Sequence, residues 1–162
     1  MSITLAKQTN TTAKATVGKN YFLYINTGES DTNPTWTKIG GQRSGSLARK
    51  SDTIDASHKD SGGWKTTLQG LKEWSIDLET VLMPNEEGLN ALESAFLNDQ
   101  LVNIKFEYPD KSYITGWASI TELSLETPHD DLATYKGTLN GVGALSELQS
   151  APAAAATSTG RK

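Results

Sequence analysis

The tightest constraint on the fold is a period of two. Val102, Ile104, Phe106 and Tyr108 alternate with Asn103, Lys105 and Glu107, which puts every apolar side chain of an extended segment on one face and every polar one on the other. Tyr108-Pro109-Asp110-Lys111 then supplies turn chemistry, so this segment and the next form a hairpin with a defined inside. Trp74, Ile76, Leu78 and Leu82 share one parity, with Asp77 and Glu79 outward, and mark a second secure strand over Trp74 to Leu82. Half-buried strands with polar backs require an antiparallel sheet whose other face is covered.

The remaining segments fit that sheet. Tyr21-Phe22-Leu23-Tyr24-Ile25, bounded by Gly18 and Gly28, has aromatic and β-branched strand composition. A second extended stretch runs from Trp36 through Ile39 and, past Gly40-Gly41, from Ser44 toward Lys50, with Gly45 suggesting a bulge. Along Ser112 to Thr127 the apolar parity changes between Ile120 and Leu123, which a bulge near Thr121 reconciles. The last strand covers Ala133 to Val142, where Gly137, Gly141 and Gly143 suit close approach by another backbone. The one convincing helix spans about Glu86 to Asn98, with Pro84-Asn85 as stop and N-cap and Leu89, Leu92 and Phe96 at helical spacing. The expected architecture is mainly β: a β-sandwich or curled β-barrel of six to seven strands with one helix. Residues 1–17 read as an N-terminal arm, 18–148 as the β-domain with a long loop at 51–71, and 149–162 as an Ala-rich flexible tail.

Composition excludes several functions. There are no cysteines, so disulfides, zinc thiolates and cysteine nucleophiles are out, and no apolar run approaches a membrane span. The first twenty residues lack the apolar centre of a secretory signal, which points to folding in a cytoplasm. Residues 1–50 carry seven Lys or Arg against two acids, residues 51–162 eight against seventeen. Between Glu73 and Asp131 thirteen acids face only Lys105 and Lys111, which disfavours a phosphate-gripping surface. No cofactor is implied.

The segment Asp55 to Lys65 gathers His58, Asp55, Asp60, Ser57 and Ser61 around Gly62-Gly63, the residue types of a nucleophilic triad. A triad needs them on separate rigid supports, which one short loop does not offer. His129-Asp130-Asp131 reads as a solvated turn after Pro128 rather than a metal site, and neither glycine pair is followed by the Lys-Ser or Lys-Thr of a phosphate loop. Trp64 suits either an interface anchor or a residue folded back onto its own domain. What remains is a non-enzymatic β-domain, charged oppositely in its two parts, built to touch copies of itself.

The run Ile54-Asp55-Ala56-Ser57-His58-Lys59-Asp60-Ser61-Gly62-Gly63-Trp64-Lys65, followed by Leu68-Gln69-Gly70-Leu71-Lys72-Glu73-Trp74-Ser75-Ile76, resembles the tail tube (major tail) proteins of long, non-contractile-tailed bacteriophages over roughly Gly18 to Leu148. The resemblance implies hexameric rings stacked head-to-tail around a tape measure protein, in a virion tail that conducts DNA into the host. Tail terminator and baseplate or distal tail proteins are the implied partners, with no membrane insertion. It also implies a fold shared with type VI secretion tube proteins and a loop between the second and third strands that reaches neighbouring subunits. Carried over by position, the contact falls on Asp55, His58, Lys59, Asp60, Gly62, Gly63 and Trp64. Candidate lumen acids, which would repel phosphate and let DNA slide, are Asp77, Glu79, Glu107, Glu122 and Glu126. The rival readings are the tube of a contractile tail or secretion machine, a carbohydrate-binding β-sandwich, and, weakest, a hydrolase.

Overall fold

The computed structural model describes residues 15–151, so most of the expected Ala-rich tail and of the N-terminal arm lies outside the described residues; Gln149, assigned to the flexible tail, instead pairs with Tyr113. Seven antiparallel strands form one sheet: β1 (Phe22–Asn26), β2 (Trp36–Lys38), β3 (Gln42–Asp55), β4 (Thr67–Val81), β5 (Val102–Glu107), β6 (Tyr113–Glu126) and β7 (Thr134–Val142). Their spatial order is β2-β1-β5-β6-β7-β4-β3. Among the described residues one α-helix, α1 (Glu87–Leu97), connects β4 to β5.

The sheet curls so that its two edges approach each other without pairing. The Gln42 side chain spans the seam: its Oε1 accepts from the Leu23 N–H at 2.9 Å, and its Nε2 donates to the carbonyls of Leu23 (2.7 Å) and Ile39 (2.6 Å). The extended stretch from Trp36 to Lys50 is therefore two strands on opposite edges, not one interrupted strand. Gly41, at φ +67°, makes the turn that separates them, and a Cβ there would meet the Val81 carbonyl oxygen at 2.5 Å.

One face of the curled sheet is the core. Leu23, Ile25, Ile76, Leu78, Val102, Ile104, Ala118 and Leu139 pack there, and Leu89, Leu92 and Ala95 of α1 cover them. The helix starts one residue later than Asn85 implied. Glu86 is the N-cap and accepts from the Leu89 N–H at 2.8 Å, whereas Asn85 turns the chain at φ 63°. Phe96 is exposed and Ala95 takes the buried position, because the helix meets the sheet on its 88–89–92–95 stripe.

Alternation places the β4 core residues as expected, but the strand starts at Thr67 and its last inward residue is Thr80, not Leu82. Thr80 is fully buried and its Oγ1 has no hydrogen-bond partner. The β6–β7 register shifts between Ile120 and Glu122, so a bulge lies at Thr121. Gly45 pairs regularly with Leu78, and the β3 irregularities fall instead between Gln42 and Ser44 and between Ser51 and Thr53. Gly141 of β7 admits a side chain rather than a backbone: a Cβ there would run into the Trp74 indole, whose Nε1 donates to the Gly143 carbonyl at 3.0 Å.

Candidate subunit interface

The expected loop at 51–71 is for the most part regular ribbon. β3 runs to Asp55 and β4 begins at Thr67, leaving only Ala56 to Thr66 irregular. β7 pairs with β4 from Ser75 onward, so residues 67–74 pair with β3 alone. At about 3.3 Å per residue they form a two-stranded arm roughly 23 Å long. A free ribbon of two strands is marginal in water, and this one carries its apolar side chains outward: Ile54 is 55% exposed, its cross-strand partner Leu68 57%, Leu71 82% and Trp64 82%.

The tip is nevertheless tightly defined by local hydrogen bonds. Asp55 Oδ1 accepts from the Ser57 N–H and Ser57 Oγ from the Thr66 N–H, each at 2.9 Å, and the Ala56 N–H donates to the Thr66 carbonyl. The Ser57 hydroxyl and N–H beside it hold the Asp55 carboxyl below its ordinary pKa. His58 caps a short 3-10 turn, Lys59–Ser61, through reciprocal bonds with Ser61. Gly62 (φ 61°) and Gly63 (φ 82°) then reverse the chain in left-handed geometry, which a side chain would strain. The consequence is an indole presented at the end of a short, ordered turn.

All seven residues assigned to a contact, Asp55, His58, Lys59, Asp60, Gly62, Gly63 and Trp64, are brought together here and are exposed. Sequence reading missed Ile54, Leu68 and Leu71 as part of the same surface; the Ile54 and Leu68 parity would have found it once both flanks were read as strand. His58 faces Ser61 but neither Asp55 nor Asp60 bonds it, so no triad forms. His129 and Asp130 lie fully in solvent, and among the described residues no group of three His, Asp or Glu could hold a metal ion.

Four of the five candidate acids share one patch. Register places Asp77 beside Thr138 and Glu122, Glu79 beside Lys136, and Glu126 beside Thr134, all on the polar face of β4, β7 and β6. Glu126 pairs with Lys136 at 3.0 Å and Glu79 approaches Arg43 at 3.9 Å. Glu107 is apart on β5. It is 8% exposed and held between Lys105 (3.3 Å) and Lys111 (3.0 Å). Burial alone would raise its pKa, but the hydrogen bonds and charges of the two lysines hold it below the usual carboxylate range. Lys105 also lies over the rings of Tyr24 (4.4 Å), Tyr113 (5.4 Å) and Trp36 (5.5 Å), tying edge strand β2 to the sheet.

The free edges matter as much as the arm. Among the described residues no strand pairs with the outer side of β3, an edge strand of fourteen residues, which is a long template for another strand unless something covers it. No helix among the described residues is long and apolar enough to cross a membrane.

The family model described as phage tail tube protein matches residues 15–147. A search of curated proteins finds no match. Among solved structures, the chain is similar to the tail of an empty gene transfer agent particle computed with C6 symmetry, at TM-score 0.71 and 24% identity over 82% of this chain and 98% of that one. It is similar to the SPP1 tail tube at TM-score 0.66 and 13% identity, covering 84% and 79% of the two chains. The anti-feeding prophage baseplate matches at TM-score 0.62 and 14% identity, covering 83% and 95%. At these identities the likeness is one of fold. Because the family model spans most of its length, the chain belongs to the phage tail tube protein family, as a structural component of virion tails.

Proposed function

We infer that six copies close into a ring, that rings stack head-to-tail through the β3–β4 arm, and that the resulting tube conducts DNA into the host. The observation that carries this reading is the arm: a two-stranded ribbon whose Trp64 is 82% exposed and which, among the described residues, pairs only within itself. Exposed apolar surface on an ordered element marks a docking site. The C6 symmetry of the similar gene transfer agent tail supports the ring number, and the unpaired β3 edge suits closure by strand addition between neighbours. Assembly would take place in the host cytoplasm around a tape measure protein, between distal tail and terminator proteins.

Asp77, Glu79, Glu122 and Glu126 are proposed to line the lumen, where their surplus over Arg43 and Lys136 repels DNA phosphates. Glu107, neutralised by two lysines, would contribute little there. Negative-stain electron microscopy of the pure chain, with and without distal tail proteins, tests the reading. Rings or tubes of uniform width are expected, faster with the initiator; a chain that stays monomeric in both cases refutes it. The likeness to the anti-feeding prophage baseplate keeps a contractile machine as the alternative, which binding of a sheath subunit to the tube's outer face would establish.

A further inference from the structure

A slot stands open at the root of the arm. β7 pairs with β4 only as far as Asn140 and Ser75, and the chain beyond it stays with β6: the Ser146 N–H donates to the Thr115 carbonyl, and Tyr113 and Gln149 exchange two backbone bonds. Between that segment and residues 72–74 of β4 lies a slot of about 530 Å³, walled by Trp74, Ala144 and Leu145, the size of an ordinary binding pocket. Its charged residues are Arg49, Lys50 and Lys72 against Glu73 and Glu147. Among the described residues none of these five is in an ion pair.

The register puts the β6–β7 turn at the other end of the same strands. Thr134 pairs both with Val81, the last residue of β4, and with Glu126, the last residue of β6. From Trp74 to Val81 the strand rises roughly 23 Å at about 3.3 Å per residue. The turn is the slot's counterpart in two respects. It presents an apolar side chain, because Leu132 is 60% exposed beside Asp131, whose Oδ1 accepts from the Leu132 N–H at 2.7 Å. It is also acidic: residues 112–135 contain Glu122, Glu126, Asp130 and Asp131 and no Lys or Arg, whereas residues 49–72 carry five bases against three acids. Lys136 answers Glu126, and among the described residues no Lys or Arg pairs with Asp130 or Asp131.

We propose that the slot between Trp74 and Leu145 receives the β6–β7 turn of the next copy of this chain. Leu132 enters against the apolar wall, and Asp130 and Asp131 meet Arg49, Lys50 and Lys72, which sets polarity and register. The contact is heterologous, one end of the subunit meeting the other, so it repeats along the strand direction and builds a stack rather than a closed dimer. The arm then runs beside the copy whose turn occupies its root. The proposal rests on the stacking reading above and names a second contact for it.

The absence of cysteine from the chain gives a clean test. Ala144→Cys places a thiol in the slot and His129→Cys one on the turn, both at exposed positions. Mild oxidation of seeded assemblies of the double variant should give a ladder of covalent multimers on a non-reducing gel that runs past the hexamer, since links along a stack do not close; neither single variant should give a ladder. Asp131→Lys should raise the concentration needed for tube growth about tenfold or more without shifting the thermal transition of the free subunit, and adding Lys72→Glu should restore growth. A ladder that ends at the hexamer would place the turn in the slot of a ring neighbour and overturn the stacking contact. Tubes that grow normally without a ladder, or an unchanged threshold for Asp131→Lys, overturn the slot as receptor and leave stacking intact. Failure of the unmodified chain to form tubes overturns the stacking reading and the proposal together.

Discussion

Trp64→Ala separates the two roles open to this residue, and the structure sets the scale of each. A tryptophan buries up to about 250 Å², and Trp64 is 82% exposed, so the folded subunit covers less than a fifth of it. At about 25 cal/mol per Å² that amounts to about 1 kcal/mol of stability, or a fall in melting temperature of about 2–4 °C for a chain of this size. The surface still open, about 200 Å², represents up to about 5 kcal/mol once covered by a neighbour. Ordering costs reduce that figure, and central aromatic anchors usually measure about 2 kcal/mol or more on truncation. The concentration needed to sustain tube growth should then rise at least about thirtyfold. Calorimetry of the monomer and light scattering of seeded growth read the two quantities separately. A variant that unfolds by more than about 3 kcal/mol, or one that grows tubes at an unchanged threshold, refutes the anchor assignment.

Three other substitutions test the fold itself. Thr80→Val removes a buried hydroxyl that bonds nothing while keeping its shape, and should stabilise by about 1 kcal/mol; a lower melting temperature would show that Oγ1 has a partner. Gly141→Ala drives a methyl into the Trp74 indole and should cost about 3 kcal/mol and alter the near-ultraviolet signal of Trp74; an unchanged spectrum and stability would contradict the packing described. Glu107→Gln should cost about 2 kcal/mol at neutral pH by leaving Lys105 poorly paired. Because the folded carboxyl titrates below its unfolded value, its contribution is full above about pH 4.3 and is lost as pH falls through the folded pKa. The variant should therefore have a flatter acid limb, and an acid limb identical to that of the unmodified chain would exclude Glu107 as a source of it.

What the sequence disclosed depended on whether a segment has one buried face. The core half of β4 alternates in burial from Trp74 to Thr80, so its parity was legible, as was the Thr121 bulge from the parity change it causes; β5 alternates in sequence, yet Asn103 and Glu107 on its polar side are buried as well, Glu107 between its two lysines. β3 was not legible, since most of its residues are exposed and burial imposes no period on an edge strand. For the same reason the ribbon flanks, residues 51–55 and 67–71, read as loop. The separation of β2 from β3 onto opposite edges hangs on the turn at Gly40-Gly41, whose glycines announce a break but not how far the chain travels across it. On α1, Phe96 outranks Ala95 in hydrophobicity, yet Ala95 takes the buried place because it falls on the 88–89–92–95 stripe. The clustering of Asp77, Glu79 and Glu122 needed the β4–β7–β6 register, which no single segment contains.

The Gln42 latch bears on how such a subunit avoids satisfying itself. Leu23 presents a donor and an acceptor to the seam, and the Gln42 amide engages both. One side chain thereby holds the curl at the root of β3 in place of a ladder of backbone pairs. Among the described residues the outer side of the strand beyond Gln42 is left unspent, so the monomer keeps its valence: it is folded enough to be a building block, while its capacity to bond stays directed outward along the edge toward Asp55.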